Sequence, residues 1–371
     1  MKNCICRSVD RKHGHKTETI RWPTFGIADK KNHHTFFAVL ELKGGFMLLF
    51  SLVFLFASIM DGDCQDTNTV LILGVRADAP PFSSFDDENG DGDPTQASGY
   101  TVDLCNRIAK RAVQAGLYSS FDYKKVEAAD RFDALKNGEI NMLCGASTVT
   151  LERMRVADFS LFTFLSGASV MYREKKDPEN DEKANPLKVG VLGETTTEAE
   201  ANHILQDLRK KNNNFGLPVH EKLKLQSFKN HYQGLEALKK DEIIAYVADR
   251  EILLALRQKD MQDSHTTDIV VSEDYYTSEH YAIGLGIGNP DLRFIANSVL
   301  SELYDWDQAG NRNENIFTIL SNNFPKKRFS KSLETLFRLQ RITRGRKIGE
   351  LVPEAAIYRP LALGTGTQWQ G

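Results

Sequence analysis

Two rhythms of apolar and polar positions alternate along most of this chain. Val70-Leu71-Ile72-Leu73-Gly74-Val75 reads as a strand, and it runs into Arg76-Ala77-Asp78-Ala79-Pro80-Pro81-Phe82, where consecutive prolines that cannot donate to a ladder end it. Asp86 to Ser98 is a polar loop. From Tyr100 to Ala115 the apolar positions Val102, Leu104, Ile108, Ala109 and Val113 take up helical spacing. The alternation then repeats: a short strand at Tyr123 to Glu127, a helix from Arg131 to Asn137 closed by Gly138, and a strand from Ile140 to Cys144. Alternation of this kind predicts an α/β sandwich built on a largely parallel sheet.

Beyond Tyr172 the segment Arg173 to Pro186 is charged, contains two prolines and reads as a surface loop. Leu187 to Leu192 restarts the pattern as a strand, followed by Gly193-Glu194-Thr195-Thr196-Thr197-Glu198 and a helix through Leu208. That junction resembles a helix start, where free amides and the macrodipole favour an anion. Strands at Lys222 to Leu225 and Ile243 to Ala248, with helices at Tyr232 to Lys239 and Arg250 to Arg257, complete a second unit. Tyr281 to Gly286 and the helix Pro290 to Tyr304 return to the first. The units are therefore joined by two crossings, near 163–169 and 274–280, and a double crossing makes a hinge.

The chain has 371 residues, 41% of them hydrophobic and 26% charged, enough for two domains with a sizeable core. A formal charge of -3 and a pI near 6.3 give no electrostatic case for nucleic acid. The basic runs Lys326-Lys327-Arg328 and Arg341 to Lys347 read as solvated ends. Phe46 to Ile59 is a 14-residue apolar run, shorter than the roughly 20 residues a membrane-spanning helix needs and of the length of a signal h-region. Export to the periplasm or the exterior is the expectation. The long stretch before that run fits a start assigned too far upstream, with Met47 as one alternative. Cys64 stands after Asp61-Gly62-Asp63, which lacks the small and apolar residues of a lipoprotein signal. Oxidising compartments favour cysteine pairing, and Cys105 with Cys144 is the expected pair, against two separately buried thiols.

The motifs of serine hydrolases, zinc peptidases and phosphate-loop enzymes are missing from the sequence. Gly284-Leu285-Gly286-Ile287-Gly288 lacks the spacing of a dinucleotide fingerprint. Asp87-Glu88-Asn89-Gly90-Asp91-Gly92 matches the first half of a calcium loop, but Ser98 stands where the closing Glu belongs and Pro94 interrupts it, so it reads as a solvated turn. Neither a metal nor a cofactor is expected. Gly145-Ala146-Ser147-Thr148-Val149-Thr150-Leu151-Glu152-Arg153 follows a strand end, where open α/β sheets bind ligands. A guanidinium there suits a carboxylate. On pattern alone, Thr150 could equally cap a helix whose Glu152 and Arg153 face water.

From about Val70 to Leu339 the chain resembles extracellular solute-binding proteins of the amino-acid class, which feed ABC importers. The resemblance rests on Ala79-Pro80-Pro81-Phe82-Ser83, Gly99-Tyr100-Thr101-Val102-Asp103-Leu104, Asp130-Arg131-Phe132-Asp133-Ala134-Leu135, Ser147 to Arg153, Phe159-Ser160, Gly193-Glu194-Thr195-Thr196 and Ala245-Tyr246-Val247-Ala248-Asp249 in that order. It implies a two-lobed periplasmic-binding-protein fold of type II, with residues 68–165 and 280–345 forming lobe 1 and 166–279 lobe 2. Residues 1–65 would be an upstream extension with signal, and 346–371 a tail.

By the same resemblance Arg153 holds a ligand α-carboxylate, helped by Thr148 and the Ala146 carbonyl, while Asp249 takes the α-ammonium. Thr195 and Thr196 offer amides and hydroxyls, and Phe82 packs on the ligand's aliphatic part. Arg76 and His231 look like the pair that grips the distal carboxylate in glutamate/aspartate-binding members. A protonated His231 in that role predicts binding that weakens as pH rises through the histidine range. Glu194 departs from the glycine common at its position. The implied partners are an L-amino acid and a membrane permease, with a monomeric protein. A dehydratase of the cyclohexadienyl type on the same fold, or a sensor domain, is the alternative.

Overall fold

Strand β1, Val70–Val75, sets the frame of the first lobe: Leu71, Leu73 and Val75 are buried against one side and Ile72 packs on the other. The computed structural model describes residues 69–85, 97–174, 188–210, 223–263, 268–307, 314–324 and 329–342. All belong to one compact unit, Gln65–Gly371. The apolar run at 46–59, Cys64, the acidic loop at 87–92 and the tail at 346–371 lie outside the described residues.

Three short strands, β2 (Asp78–Ala79), β3 (Ser83–Phe85) and β4 (Ala97–Ser98), form a small antiparallel sheet after β1. The first-lobe sheet continues with β5 (Ser120–Lys125), β6 (Met142–Cys144) and β7 (Asp158–Ser166). The second-lobe sheet takes β8 (Ala168–Arg173), β9 (Lys188–Leu192), β10 (Lys224–Phe228), β11 (Ala245–Asp249) and β12 (Ile269–Val271), before β13 (Glu279–Leu285) returns to the first. The two orders are β5-β1-β6-β13-β7 and β10-β9-β11-β8-β12. In each, the strand pairs formed by β1 with β5 and β6, or by β9 with β10 and β11, are parallel, and the remaining pairs are antiparallel.

Helices cover the faces. The helix α1, Tyr100–Gln114, turns Leu104, Cys105 and Ile108 onto the first sheet, and Cys105 is joined to Cys144 of β6 by a disulfide with Cα atoms 6.1 Å apart. The helix α2, Arg131–Lys136, covers the opposite face with Leu135, and Gly138 supplies the positive φ that ends the turn after it. In the second lobe α3, Thr196–Lys210, lays Ala201, Ile204 and Leu205 on Val189 and Val191. The helix α4, His231–Lys239, and α5, Arg250–Asp263, cover the other face. Pro290–Leu303, Ile316–Asn323 and Lys331–Leu339 are further helices of the first lobe's sequence.

The chain crosses between sheets at Gly167 and at 272–278, and the two crossings touch. Ala168 N–H donates to Thr277 Oγ1 at 2.8 Å, and Tyr276 N–H to the Ala168 carbonyl at 2.9 Å. A Cβ on Gly167 would lie 2.2 Å from the Thr277 carbonyl oxygen, so the close passage requires glycine.

Candidate functional site

Strand ends deliver the polar groups. Arg76 follows the last residue of β1, Ala146 and Thr148 follow β6, Thr195 follows β9, His231 opens α4 after β10, and Asp249 is the last residue of β11. In both lobes the parallel strands carry these residues at their carboxyl ends, the edge where open α/β sheets bind ligands. All of them line one cavity with Arg153 and Thr196, joined by Arg131, Leu192, Thr197 and Ala248. The cavity is small, about 20 Å³, room for little more than water.

The lobes meet around it. Thr148 Oγ1 is 3.4 Å from Thr196 Oγ1, the His231 N–H donates to Asp78 Oδ2 at 3.1 Å, and the Tyr281 hydroxyl donates to Asp249 Oδ2. Arg131 Nη1 reaches the Glu194 carbonyl at 3.5 Å. Glu194 holds φ +56°, the left-handed conformation that glycine adopts freely, and its N–H is taken by Glu198 Oε2 at 2.7 Å.

Arg153 reconciles the two readings of its motif. Thr150 Oγ1 does accept the Arg153 N–H, at 3.1 Å, and starts the short 3₁₀ turn Arg153–Arg155. The guanidinium nonetheless turns into the cavity, donating from Nη1 to the Thr148 carbonyl at 2.8 Å and lying 4.8 Å from the centre of the Phe132 ring. Arg131 stacks on the same ring at 5.0 Å, so one aromatic side chain holds two guanidiniums. Arg155 is exposed.

Charges are unevenly paired. Arg76, 2% exposed, donates from Nε and Nη2 to Asp78 Oδ1 at 3.0 and 2.8 Å. Burial works against the Asp78 carboxylate, but Arg76 and His231 still hold its pKa below the usual value. Arg131 has no carboxylate among its hydrogen-bond partners, and its Nε is buried without one of any kind among the described residues. Burial, with Arg76 and Arg153 beside it, brings its pKa well below the ordinary arginine range. Asp249 Oδ1 is likewise buried and unpartnered. Burial first, and then the nearby Glu279 carboxylate, push the Asp249 pKa up to about 7.

The profile of bacterial extracellular solute-binding proteins, family 3, matches residues 71–311, a span that includes the whole cavity wall. This chain belongs to that family. Among the solute-binding protein's relatives, the glutamine-binding protein of Geobacillus stearothermophilus is 27% identical over 214 residues, 58% of this chain and 71% of that one. The glutamate/aspartate import solute-binding protein of Escherichia coli K12 is 24% identical over 194 residues, 52% and 59% of the two chains. Of solved structures, an ancestral arginine-binding protein bound to glutamine superposes with a TM-score of 0.52 at 23% identity, covering 69% of this chain and 98% of that one. An ancestral amino acid-binding protein, a precursor of cyclohexadienyl dehydratase, gives 0.50 at 22%, covering 69% and 95%. At such identities the structures share the two-lobed fold. The family's amino-acid-binding members work with ABC transporters.

Two expectations for this solute-binding protein are corrected. Phe82 is 0% exposed and does not reach the cavity: Phe164, Tyr281, Phe324 and Tyr100 surround its ring at centroid distances of 5.0 to 6.4 Å. It is an aromatic core residue of the first lobe. His231 reaches the cavity but not as a cation. Burial lowers its pKa to about 4 despite Asp78, and its Nδ1 is 2.9 Å from the Tyr246 hydroxyl. The ring is neutral between pH 5.5 and 8.5, so the expected weakening of binding across that range has no source in His231.

Thr195 and Thr196 divide their work differently from expectation. Thr195 Oγ1 donates to the Leu192 carbonyl at 2.7 Å and accepts the Glu198 N–H at 3.2 Å, so its hydroxyl caps α3. Thr196 Oγ1 donates to Glu279 Oε2 at 3.0 Å. The first-turn amides of Thr196 and Thr197 remain for an anion.

Proposed function

We propose that this protein is exported and captures a free L-amino acid with an acidic side chain, glutamate or aspartate, between its lobes for delivery to an ABC-type permease. The observation that carries the reading is the placement of Arg153 and Asp249 in one cavity wall from opposite lobes. A zwitterion can bridge them, carboxylate to Arg153 and ammonium to Asp249, and its binding free energy then favours the closed population. No bond is made or broken.

Arg131 supports the acidic side chain. Asp78 offsets Arg76 by direct contact and Glu279 acts on Arg153, whereas Arg131 has no bonded carboxylate and its burial and the like charges of Arg76 and Arg153 outweigh the attraction of Asp78 and Asp249. A distal carboxylate answers that deficit, and a lysine or arginine side chain worsens it. The glutamate/aspartate import relative carries a name consistent with this, as the glutamine-binding one does with a side chain of the same length.

Thermal unfolding against the twenty amino acids tests it. Glutamate or aspartate at a thousandfold excess over Kd is expected to raise Tm by roughly 10 °C, with lysine and arginine inert. Arg131→Gln should weaken glutamate by about 30-fold and glutamine far less. A shift with no amino acid removes the capture reading, and a largest shift with arginine removes the acidic side chain.

A further inference from the structure

Glu279 belongs to none of the motifs, and its carboxylate contacts both the crossing and the second lobe. It is 4% exposed and opens β13, where the chain re-enters the first lobe. Its Oε1 accepts from Thr277 Oγ1 at 2.9 Å, and that hydroxyl oxygen in turn accepts the Ala168 N–H of the neighbouring crossing at 2.8 Å. Its Oε2 accepts from Thr196 Oγ1 of the second lobe at 3.0 Å.

We propose that Glu279 is a positioning residue for the ligand's amine: it takes the Thr196 hydroxyl proton, so that Thr196 faces the cavity as an acceptor, and it adds a second negative charge behind Asp249. The proposal rests on the reading that an amino acid binds with its ammonium at Asp249. A hydroxyl has one proton, and a carboxylate can only accept. With that proton spent on Glu279, Thr196 offers lone pairs alone, and Thr148 must be the donor in the 3.4 Å contact between the two hydroxyls.

Two acceptors of the cavity-lining residues then remain for an ammonium, the second lone pair of Thr196 Oγ1 and the unpartnered Asp249 Oδ1. Thr196's hydroxyl is withdrawn from the ligand carboxylate, which is left to Arg153 and the first amides of α3. The charged and titratable groups that face Asp249 are Glu279, Tyr281, Glu251, Arg76, Arg131, Arg153 and Tyr246. Among the neighbouring side chains Glu279 is the largest contributor to holding a proton on Asp249. An arriving ammonium relieves the repulsion between the two carboxylates, so Glu279 acts on the pH dependence through Asp249 as well as on orientation through Thr196.

Calorimetric titration of the full chain with L-glutamate from pH 5.5 to 8.5 tests this in wild type, Glu279→Gln, Thr196→Val and the double variant, each checked for a cooperative thermal transition. Glu279→Gln is expected to weaken binding about tenfold at pH 8 and to move the midpoint of the pH dependence acidward by roughly one unit. The double variant should bind no more weakly than the weaker single one. An unmoved midpoint with losses that multiply overturns the proposal, leaving Glu279 a purely structural residue. If Glu279→Gln does not fold, Thr196→Val decides: it should weaken L-glutamate about tenfold and leave glutarate, which has no amine, unchanged. Equal losses for both ligands overturn the proposal. A wild-type protein that binds no amino acid is a different result, and removes the capture reading instead.

Discussion

Arg153→Ala is expected to lower affinity for the amino acid by roughly 10²- to 10³-fold at pH 7.5, measured by calorimetry, while leaving the Tm of the ligand-free protein within a few degrees of wild type. The magnitude follows from two charge-assisted bonds to a carboxylate, at about 1.5 to 3 kcal/mol each, less what the α3 amides recover. The small effect on folding follows from position. Arg153 is half-buried, and burial lowers its pKa, so the uncomplexed fold gains little from the charge. Its removal also relieves Arg76 and Arg131 of a like charge. Arg153→Lys should recover part of the charge but not the fork, leaving a loss of at least about tenfold. Wild-type affinity in Arg153→Ala would mean that the ligand carboxylate lies elsewhere.

Asp249→Asn should cost about 100-fold at pH 8 and, more tellingly, abolish a pH dependence that wild type shows. Asp249 must be ionised to take an ammonium, and its pKa in the structure is about 7. Affinity of wild type therefore rises with pH, by close to tenfold per unit below 7, and levels off above it. Neutral His231 adds nothing of opposite sign, since its pKa of about 4 lies below the window. The ligand-free fold behaves in the opposite sense. A carboxyl whose folded pKa is raised above its unfolded value binds an extra proton when folded, so its contribution to stability is lost as pH climbs from about 4 to 7. Asp249→Asn should flatten that slope as well. Affinity that falls with pH in wild type, or a slope that survives in Asp249→Asn, contradicts the assignment.

Much of the scaffold was legible because burial writes itself into apolar runs. The run Val70 to Val75 is the strand β1, and Tyr100 to Ala115 differs from the observed helix only at its last residue. Strand β5 begins three residues earlier than expected because it alternates between exposed and half-buried residues at the sheet edge, and so has no apolar run to mark its start. The stretch from Phe159 to Tyr172 hid two strands, β7 and β8, because both are apolar and only Gly167 divides them. Two short helices after Tyr304 were passed over: Ile316–Asn323 and Lys331–Leu339 cover too few turns to establish a period.

The candidate site was legible where a ligand's charge demands a particular side chain at a strand end, as with Arg153 and Asp249. It was illegible where remote partners decide the role. Phe82 stands in a motif, yet its neighbours Tyr100, Phe164, Tyr281 and Phe324 come from four separate segments, and together they close it off from the cleft. The charge of His231 depends on burial that no local pattern reports. Arg131 and Phe132 were visible as a motif without a role, since Arg153, which shares the Phe132 ring with Arg131, lies about twenty residues further along the sequence. Glu279 carried no signal at all, because its partner Thr196 lies in the second lobe, far away in sequence, and Thr277 lies in the crossing itself.

The central claim is that one cavity holds both ends of a zwitterion, and the most direct measurement removes those ends from the ligand in turn. Calorimetry of wild type at pH 8 with L-glutamate, glutarate and 4-aminobutyrate compares the whole ligand with one lacking the amine and one lacking the α-carboxylate. The account predicts binding of L-glutamate and a loss of about 100-fold or more for each analogue. Glutarate or 4-aminobutyrate binding as tightly as L-glutamate would contradict it.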